Sequence, residues 1–194
     1  MPVKKAMLEV VKHVEEIVEG LNEKQIAAMI EAIESADRIF MMGAGRSGMA
    51  SRAFAMRLVQ LGLTAYVIGE SVTPAMTDKD LLIAVSGSGE TKSIVSAAKI
   101  AKGVGSKVLA VTSYPRSRLG RIADMRVAIK GRTKIDVEKD HLKHQIIGTH
   151  STLTPLGTLF EDTVMIFFDG IIAKLMSDLE KDEHEMKSRH ATLE

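Results

Sequence analysis

From Val3 to Leu21 apolar residues recur at helical spacing (Val3, Met7, Val10, Val14, Ile17, Leu21) with Lys and Glu between them, which predicts an amphipathic helix. Asn22 is placed to cap a second helix carrying Ile26, Met29, Ile30 and Ile33 on one face. After Asp37 the period changes. Short apolar runs near 38–42, 64–68, 81–85, 107–112 and 125–129 alternate with helix-like stretches over about 48–61, 91–103 and 116–122. Strands separated by helices of this length predict a mostly parallel five-stranded sheet with helices on both faces, a doubly wound α/β fold. The flavodoxin-like order 2-1-3-4-5 would put the topological switch between the first and third strands, where such sheets bind ligands at the carboxyl ends.

The stretch 131–154 is polar and patternless and carries His141, His144 and His150, so it reads as a long loop. Thr154-Pro155 reads as a helix start. The helix running to about 180 has one stripe of Phe160, Val164, Phe167, Ile171 and Leu175 and a second of Met165, Phe168, Ile172 and Met176. A helix apolar on most of its circumference needs cover on more than one side. This predicts a homo-oligomer packed through these helices and the N-terminal pair. Residues 182–194 read as a short helix and tail. The expected organisation is a single domain over 1–194: helices to 36, a sheet core over 37–130, the loop 131–154, and C-terminal helices from 155.

Composition narrows the function. Lys plus Arg number 26 against 25 Asp plus Glu, so no broad basic field exists to hold nucleic acid or an anionic membrane. Five Phe, two Tyr and no Trp leave little surface for stacking bases. The absence of cysteine removes thiolate chemistry and fits a reducing compartment. No apolar run reaches the ~18–20 residues of a membrane span, and the opening residues lack an apolar signal core. A cytoplasmic protein is expected.

Two glycine–serine loops carry the candidate chemistry. Gly43-Ala44-Gly45-Arg46-Ser47-Gly48 follows the first apolar run, and Ser86-Gly87-Ser88-Gly89-Glu90-Thr91 follows the third. A strand turning through glycines into a helix aims backbone N–H groups, at the positive end of the helix dipole, toward one spot suited to phosphate. Hydroxyls of Ser47, Ser86, Ser88 and Thr91 add neutral donors, worth ~1.5–3 kcal/mol each toward an ionised group. Gly45, Gly87 and Gly89 open the backbone, and Arg46 and Glu90 complete the candidate set. Gly43-x-Gly45-x-x-Gly48 also fits a dinucleotide fingerprint, with Glu70 standing where a ribose-binding acid would. Each loop could instead be a ligand-free turn. A nucleotide P-loop is excluded, since no Gly-Lys-Ser/Thr follows either loop. Glu161 heads the stripe Met165, Phe168, Ile172, so it is either a proton-transfer group or an inert first-turn carboxylate on the helix dipole. The three loop histidines could ligate a metal, yet no carboxylate stands at ligand spacing, which favours solvated side chains.

Together, Gly43-Ala-Gly-Arg-Ser-Gly48, Ala55-Met-Arg-Leu58, Ser86-Gly-Ser-Gly-Glu-Thr91, Thr154-Pro-Leu-Gly-Thr-Leu-Phe-Glu161 and Arg189-His190 resemble the sugar isomerase (SIS) domain family, and within it the 6-phospho-3-hexuloisomerases. The resemblance implies a tetramer without metal or organic cofactor that interconverts D-arabino-hex-3-ulose 6-phosphate and fructose 6-phosphate. It implies phosphate binding by the serine loop and catalysis by Glu161, with His190 reaching a neighbouring subunit's site. It further implies a functional neighbour, hexulose-phosphate synthase, in the ribulose monophosphate pathway of formaldehyde fixation. SIS domains also serve as regulatory modules, so a non-catalytic phosphosugar sensor, or another SIS aldose or ketose phosphate isomerase, is the alternative.

Overall fold

Each strand pairs in parallel with its neighbours. The computed structural model describes residues 2–131, 154–155 and 157–189. In it β1 (Ile39–Gly43), β2 (Ala65–Val67), β3 (Leu81–Val85), β4 (Lys107–Thr112) and β5 (Met125–Ala128) form one sheet in the order β2-β1-β3-β4-β5. The helices are α1 (Pro2–Glu19), α2 (Glu23–Ser35), α3 (Arg46–Gln60), α4 (Lys92–Val104), α5 (Arg118–Ile122), α6 (Thr158–Asp178) and α7 (Glu183–Ser188). The order is the expected one, and the switch falls between β1 and β3.

Strand alternation sorts the core into two faces. Ile39, Met41, Leu81, Ile83, Val85, Leu109 and Val111 point to one side, where Met29 and Ile33 of α2, Phe54 and Leu58 of α3 and Phe160, Phe168 and Ile171 of α6 cover them. Phe40, Leu82, Ala84, Val108 and Ala110 point to the other, under Ile94, Val95 and Ala98 of α4 and Leu119 of α5. The rings of Phe54 and Phe168 stack at 4.2 Å, joining α3 to α6 directly. Both faces of β3 are buried along its whole length, as its unbroken Leu-Leu-Ile-Ala-Val run requires. At the amino ends of β1 and β3, opposite the loops, Arg38 and the buried Asp80 bind through two bonds of 2.9 and 2.7 Å. No helix among the described residues is long and apolar enough to cross a membrane.

Asn22 caps α2 as expected, accepting from the N–H groups of Lys24 and Gln25. The start of α6 differs from expectation: the helix begins at Thr158, not at Thr154-Pro155. The Thr154 hydroxyl donates to Glu9 of α1 instead of capping, the Thr158 N–H turns back to the Pro155 carbonyl, and Gly157 (φ 90°) redirects the chain. The predicted loop, with His141, His144 and His150, lies outside the described residues apart from its ends. So does His190.

α1 is amphipathic yet buries no residue completely. Val3, Met7, Leu8, Val11 and Val18 are each more than half exposed. Between α1, α2 and α6 lies an apolar cavity of ≈ 340 Å³ walled by Ile17, Leu21, Ile26, Phe167 and Ile171 among others.

Candidate active site

Gly43 at the end of β1 is in register with Val85 at the end of β3, so the two glycine–serine loops leave the sheet side by side. In the first loop Gly45 takes a positive φ (58°) and is the N-cap of α3. A Cβ at Gly43 would lie 2.5 Å from the Ser47 carbonyl oxygen, and one at Gly48 2.8 Å from the Gly43 carbonyl oxygen. Two of the three fingerprint glycines therefore let β1 and α3 approach one another, a requirement of the strand–helix corner whatever it binds. Glu70, the would-be ribose acid, is ion-paired to Arg52 at the surface (3.2 Å) and does not line the cavity described below.

The second loop is braced from behind. The N–H of Gly89 donates to the carbonyl and the Oγ of Ser86, the Gly87 carbonyl accepts from Ser113 and Thr112, and the Gly89 carbonyl accepts from Leu119 of α5. A Cβ at Gly89 would sit 1.9 Å from Ser117 Oγ, so only glycine lets α5 close against the loop. Glu90 also faces this side: its carboxylate accepts from the Arg118 N–H and pairs with the Arg118 guanidinium at 2.9 Å. Ser86 Oγ lies 3.1 Å from Thr91 Oγ1, and Ser88 Oγ accepts from the Glu90 N–H.

A third piece of chain meets these two at the start of α6. Phe160 packs flat on Gly87, where a Cβ would come within 3.0 Å of its ring. One turn away, the Glu161 carboxylate lies over Gly157, whose Cβ would stand 3.0 Å from Oε1. Glu161 is largely buried, its side chain 18% exposed, and Arg46 donates from Nε to its Oε2 at 2.7 Å. The same guanidinium donates from Nη2 to Asp162.

The three pieces enclose a cavity of ≈ 360 Å³, within the ~300–1,000 Å³ common for small-molecule sites. Gly45, Thr91 and Gly157, the N-cap residues of α3, α4 and α6, all line it, and none of these caps is closed by a side-chain hydrogen bond. Three helix N-termini thus direct first-turn N–H groups and the positive ends of their dipoles toward one space. Ser47, Ser86, Ser88 and Thr91 add hydroxyls, and Glu161 places a carboxylate on the wall. A dianion and a proton acceptor can be served in the same chamber. Among the described residues no group of three or more His, Asp or Glu is disposed to hold a metal ion.

The SIS domain matches residues 32–140. Over 94% of this chain and 100% of the relative, the sequence is 38% identical to a 3-hexulose-6-phosphate isomerase of Bacillus subtilis. The chain belongs to the SIS-domain family. An uncharacterized protein of Aeropyrum pernix is 45% identical over 100% of this chain and 93% of its own. The crystal structure of a Methanococcus jannaschii protein, from which a 3-hexulose-6-phosphate isomerase function was inferred, superposes with a TM-score of 0.79 at 31% identity, each chain covered completely. Several relatives at this level carry the isomerase name, which marks the present SIS-domain protein as an isomerase.

Of the residues singled out from the sequence of this SIS-domain isomerase, Gly45, Ser47, Ser86, Gly87, Ser88, Thr91 and Glu161 line the cavity. Arg46 stands beside Glu161 and Asp162, while Gly89 and Glu90 face α5. His190 lies outside the described residues, but Arg189 before it rests on Gly62 and donates to the Gln60 carbonyl, at the far end of α3 from Gly45. With 15 residues α3 spans about 22 Å. Gly157 and Phe160 stand in the motif before Glu161 but are not among the expected site residues, and neither is Asp162. A glycine just ahead of an apolar helix and a second acid beside Glu161 were the available signals.

Proposed function

We propose that the protein interconverts D-arabino-hex-3-ulose 6-phosphate and fructose 6-phosphate through a cis-enediol. The observation that carries this reading is the meeting of three helix N-termini without side-chain caps, four hydroxyls and one carboxylate around a single cavity. The phosphate takes the hydroxyls of Ser47, Ser86, Ser88 and Thr91 and the backbone donors opened by Gly45 and Gly87, whereas Gly89 serves the packing of α5. Binding energy from this unreactive group positions the carbon chain against Glu161. Glu161 accepts the proton from C2 of the 3-ketose as the C3 carbonyl oxygen gains one, which gives the C2–C3 enediol; Glu161 then returns a proton to C3 as the C2 hydroxyl gives one up and the carbonyl reappears at C2, so that one proton moves from C2 to C3 and one from O2 to O3. One carboxylate serves both carbons because they are adjacent. Backbone donors at the helix termini stabilise the developing oxyanion.

The same reading makes the protein a cytoplasmic homotetramer held through α1, α2 and α6, whose exposed apolar residues a second copy would cover, with His190 entering a neighbour's cavity. Its metabolic neighbour is a hexulose-phosphate synthase, in the ribulose monophosphate pathway of formaldehyde fixation. Incubation with fructose 6-phosphate in deuterated water tests the chemistry. Carbon-bound deuterium is expected with the natural chain and none with Glu161→Gln, a loss of at least ~10²-fold, while fructose 6-phosphate still raises the melting temperature of both. Thermal stabilisation of the natural chain without deuterium uptake would make it a phosphosugar sensor and end the catalytic reading.

A further inference from the structure

Glu161 in the first turn of α6 and Asp162 directly after it are consecutive acids, and a single guanidinium bridges them. Consecutive helical side chains diverge by about 100°, so Arg46 can touch both only by lying across the helix end. Its Nε takes Oε2 of Glu161 and its Nη2 takes Oδ1 of Asp162. Among the described residues, the ion pairs of both acids are with Arg46. The three groups are graded in exposure: Glu161 18%, Asp162 37%, Arg46 50%. Glu161, which lines the cavity, is the least exposed of the three, and the guanidinium that ties it to Asp162 is the most exposed.

We propose that Asp162 is a positioning residue for proton transfer, acting through Arg46 on Glu161; the inference rests on the isomerase reading above. Two bonds from different nitrogens of a rigid planar fork fix its rotation, which a single ion pair does not. The fork holds Oε2 of Glu161, leaving Oε1, which lies over Gly157, to accept the substrate proton. Asp162 also divides the charge of Arg46. A base pinned by an undivided cation takes up a proton less readily, and an Arg without Asp162 would be free to turn toward the phosphate. Asp162 keeps the cation engaged beside the base and out of the cradle.

The test compares natural chain, Asp162→Asn and Arg46→Gln in fructose 6-phosphate exchange against pH, with sugar-phosphate affinity measured separately. In Asp162→Asn, kcat is expected to fall about 10-fold or more with affinity within about twofold. The acid limb of its kcat/KM profile moves to lower pH, because a negative neighbour is gone. Arg46→Gln also loses rate, but its acid limb moves to higher pH, because a positive neighbour is gone. Asp162→Glu keeps the charge and is expected to hold the natural limb. Opposed shifts are beyond a purely structural role. An Asp162→Asn profile superimposable on the natural one, or a rate loss with an unmoved limb, overturns the proposal while leaving the isomerase reading standing. A natural chain that does not exchange at all overturns both. Thermal melts check folding, and Asp162→Ser replaces Asp162→Asn if the latter does not fold.

Discussion

Gly157→Ala puts the aim of Glu161 to a quantitative test. The substitution adds one carbon, and its consequences follow from two features of the site. Gly157 holds φ 90°, so an L side chain there is strained by about 1–2 kcal/mol. For a chain of this length that corresponds to a melting temperature lower by about 2–8 °C. The new Cβ would also stand 3.0 Å from Oε1, 3.2 Å from Cδ and 3.2 Å from Oε2 of Glu161, which forces the carboxylate away by a few tenths of an ångström. Arg46 holds Oε2 from the other side, so the group cannot simply slide and must rotate. A displacement of 1 Å near reacting atoms costs on the order of 10²-fold; a third to a half of that on a logarithmic scale predicts a kcat lower by roughly 5- to 10-fold. The phosphate contacts are on other elements, so KM should change less than twofold. Steady-state kinetics with fructose 6-phosphate and a thermal melt on the same preparation give both numbers. Full kcat in a destabilised protein would refute the claim that Gly157 seats the catalytic carboxylate.

Ser88→Ala should raise KM about 10- to 150-fold, the loss of one bond to a charged phosphate, with kcat nearly preserved; an unchanged KM removes Ser88 from the cradle. Leu8→Glu on the exposed face of α1 should prevent assembly of the proposed tetramer, read by analytical ultracentrifugation against the natural chain, without lowering the helix content by circular dichroism; an unchanged tetramer would remove α1 from the interface. Burial acts to raise the Asp80 carboxyl, but bonds from Arg38 and Thr77 outweigh it, so the group titrates below the usual carboxylate range. The folded chain then binds that proton less tightly than the unfolded chain, and the stability Asp80 contributes is present above the ordinary carboxylate value and lost as pH falls through the lowered one. Asp80→Asn should therefore cost about 1–3 kcal/mol in urea unfolding at pH 7, with the gap to the natural chain closing at acid pH.

The sheet was legible because its strands are short, apolar and separated by helices of standard length, and β3 and β4 fall where the apolar runs put them. The switch point of such a sheet is enough to bring Gly43–Gly48 and Ser86–Thr91 together. Less legible was what each glycine does. Gly43 and Gly48 look like ligand glycines in the sequence, but they are spacers between β1 and α3, a tertiary contact no local pattern reports. Glu90 sits within the serine loop yet turns away to Arg118, because α5 packs behind it. Thr154-Pro155 has the chemistry of a helix start, and a partner on α1 claimed the hydroxyl instead. The bridge from Arg46 to Glu161 and Asp162 joins residues more than a hundred positions apart, which spacing along the chain cannot reveal.

On the proposed mechanism, the grip and the reaction reside on separate stretches of polypeptide. What holds the anion belongs to corners rooted in the centre of the sheet, where any alteration disturbs the core. What moves the proton arrives on α6, a late helix, in a side chain that is held by Arg46 and Gly157. Selection could rewrite the start of that helix, exchanging one chemistry for another, while the anchor for phosphorylated substrates stayed as it was.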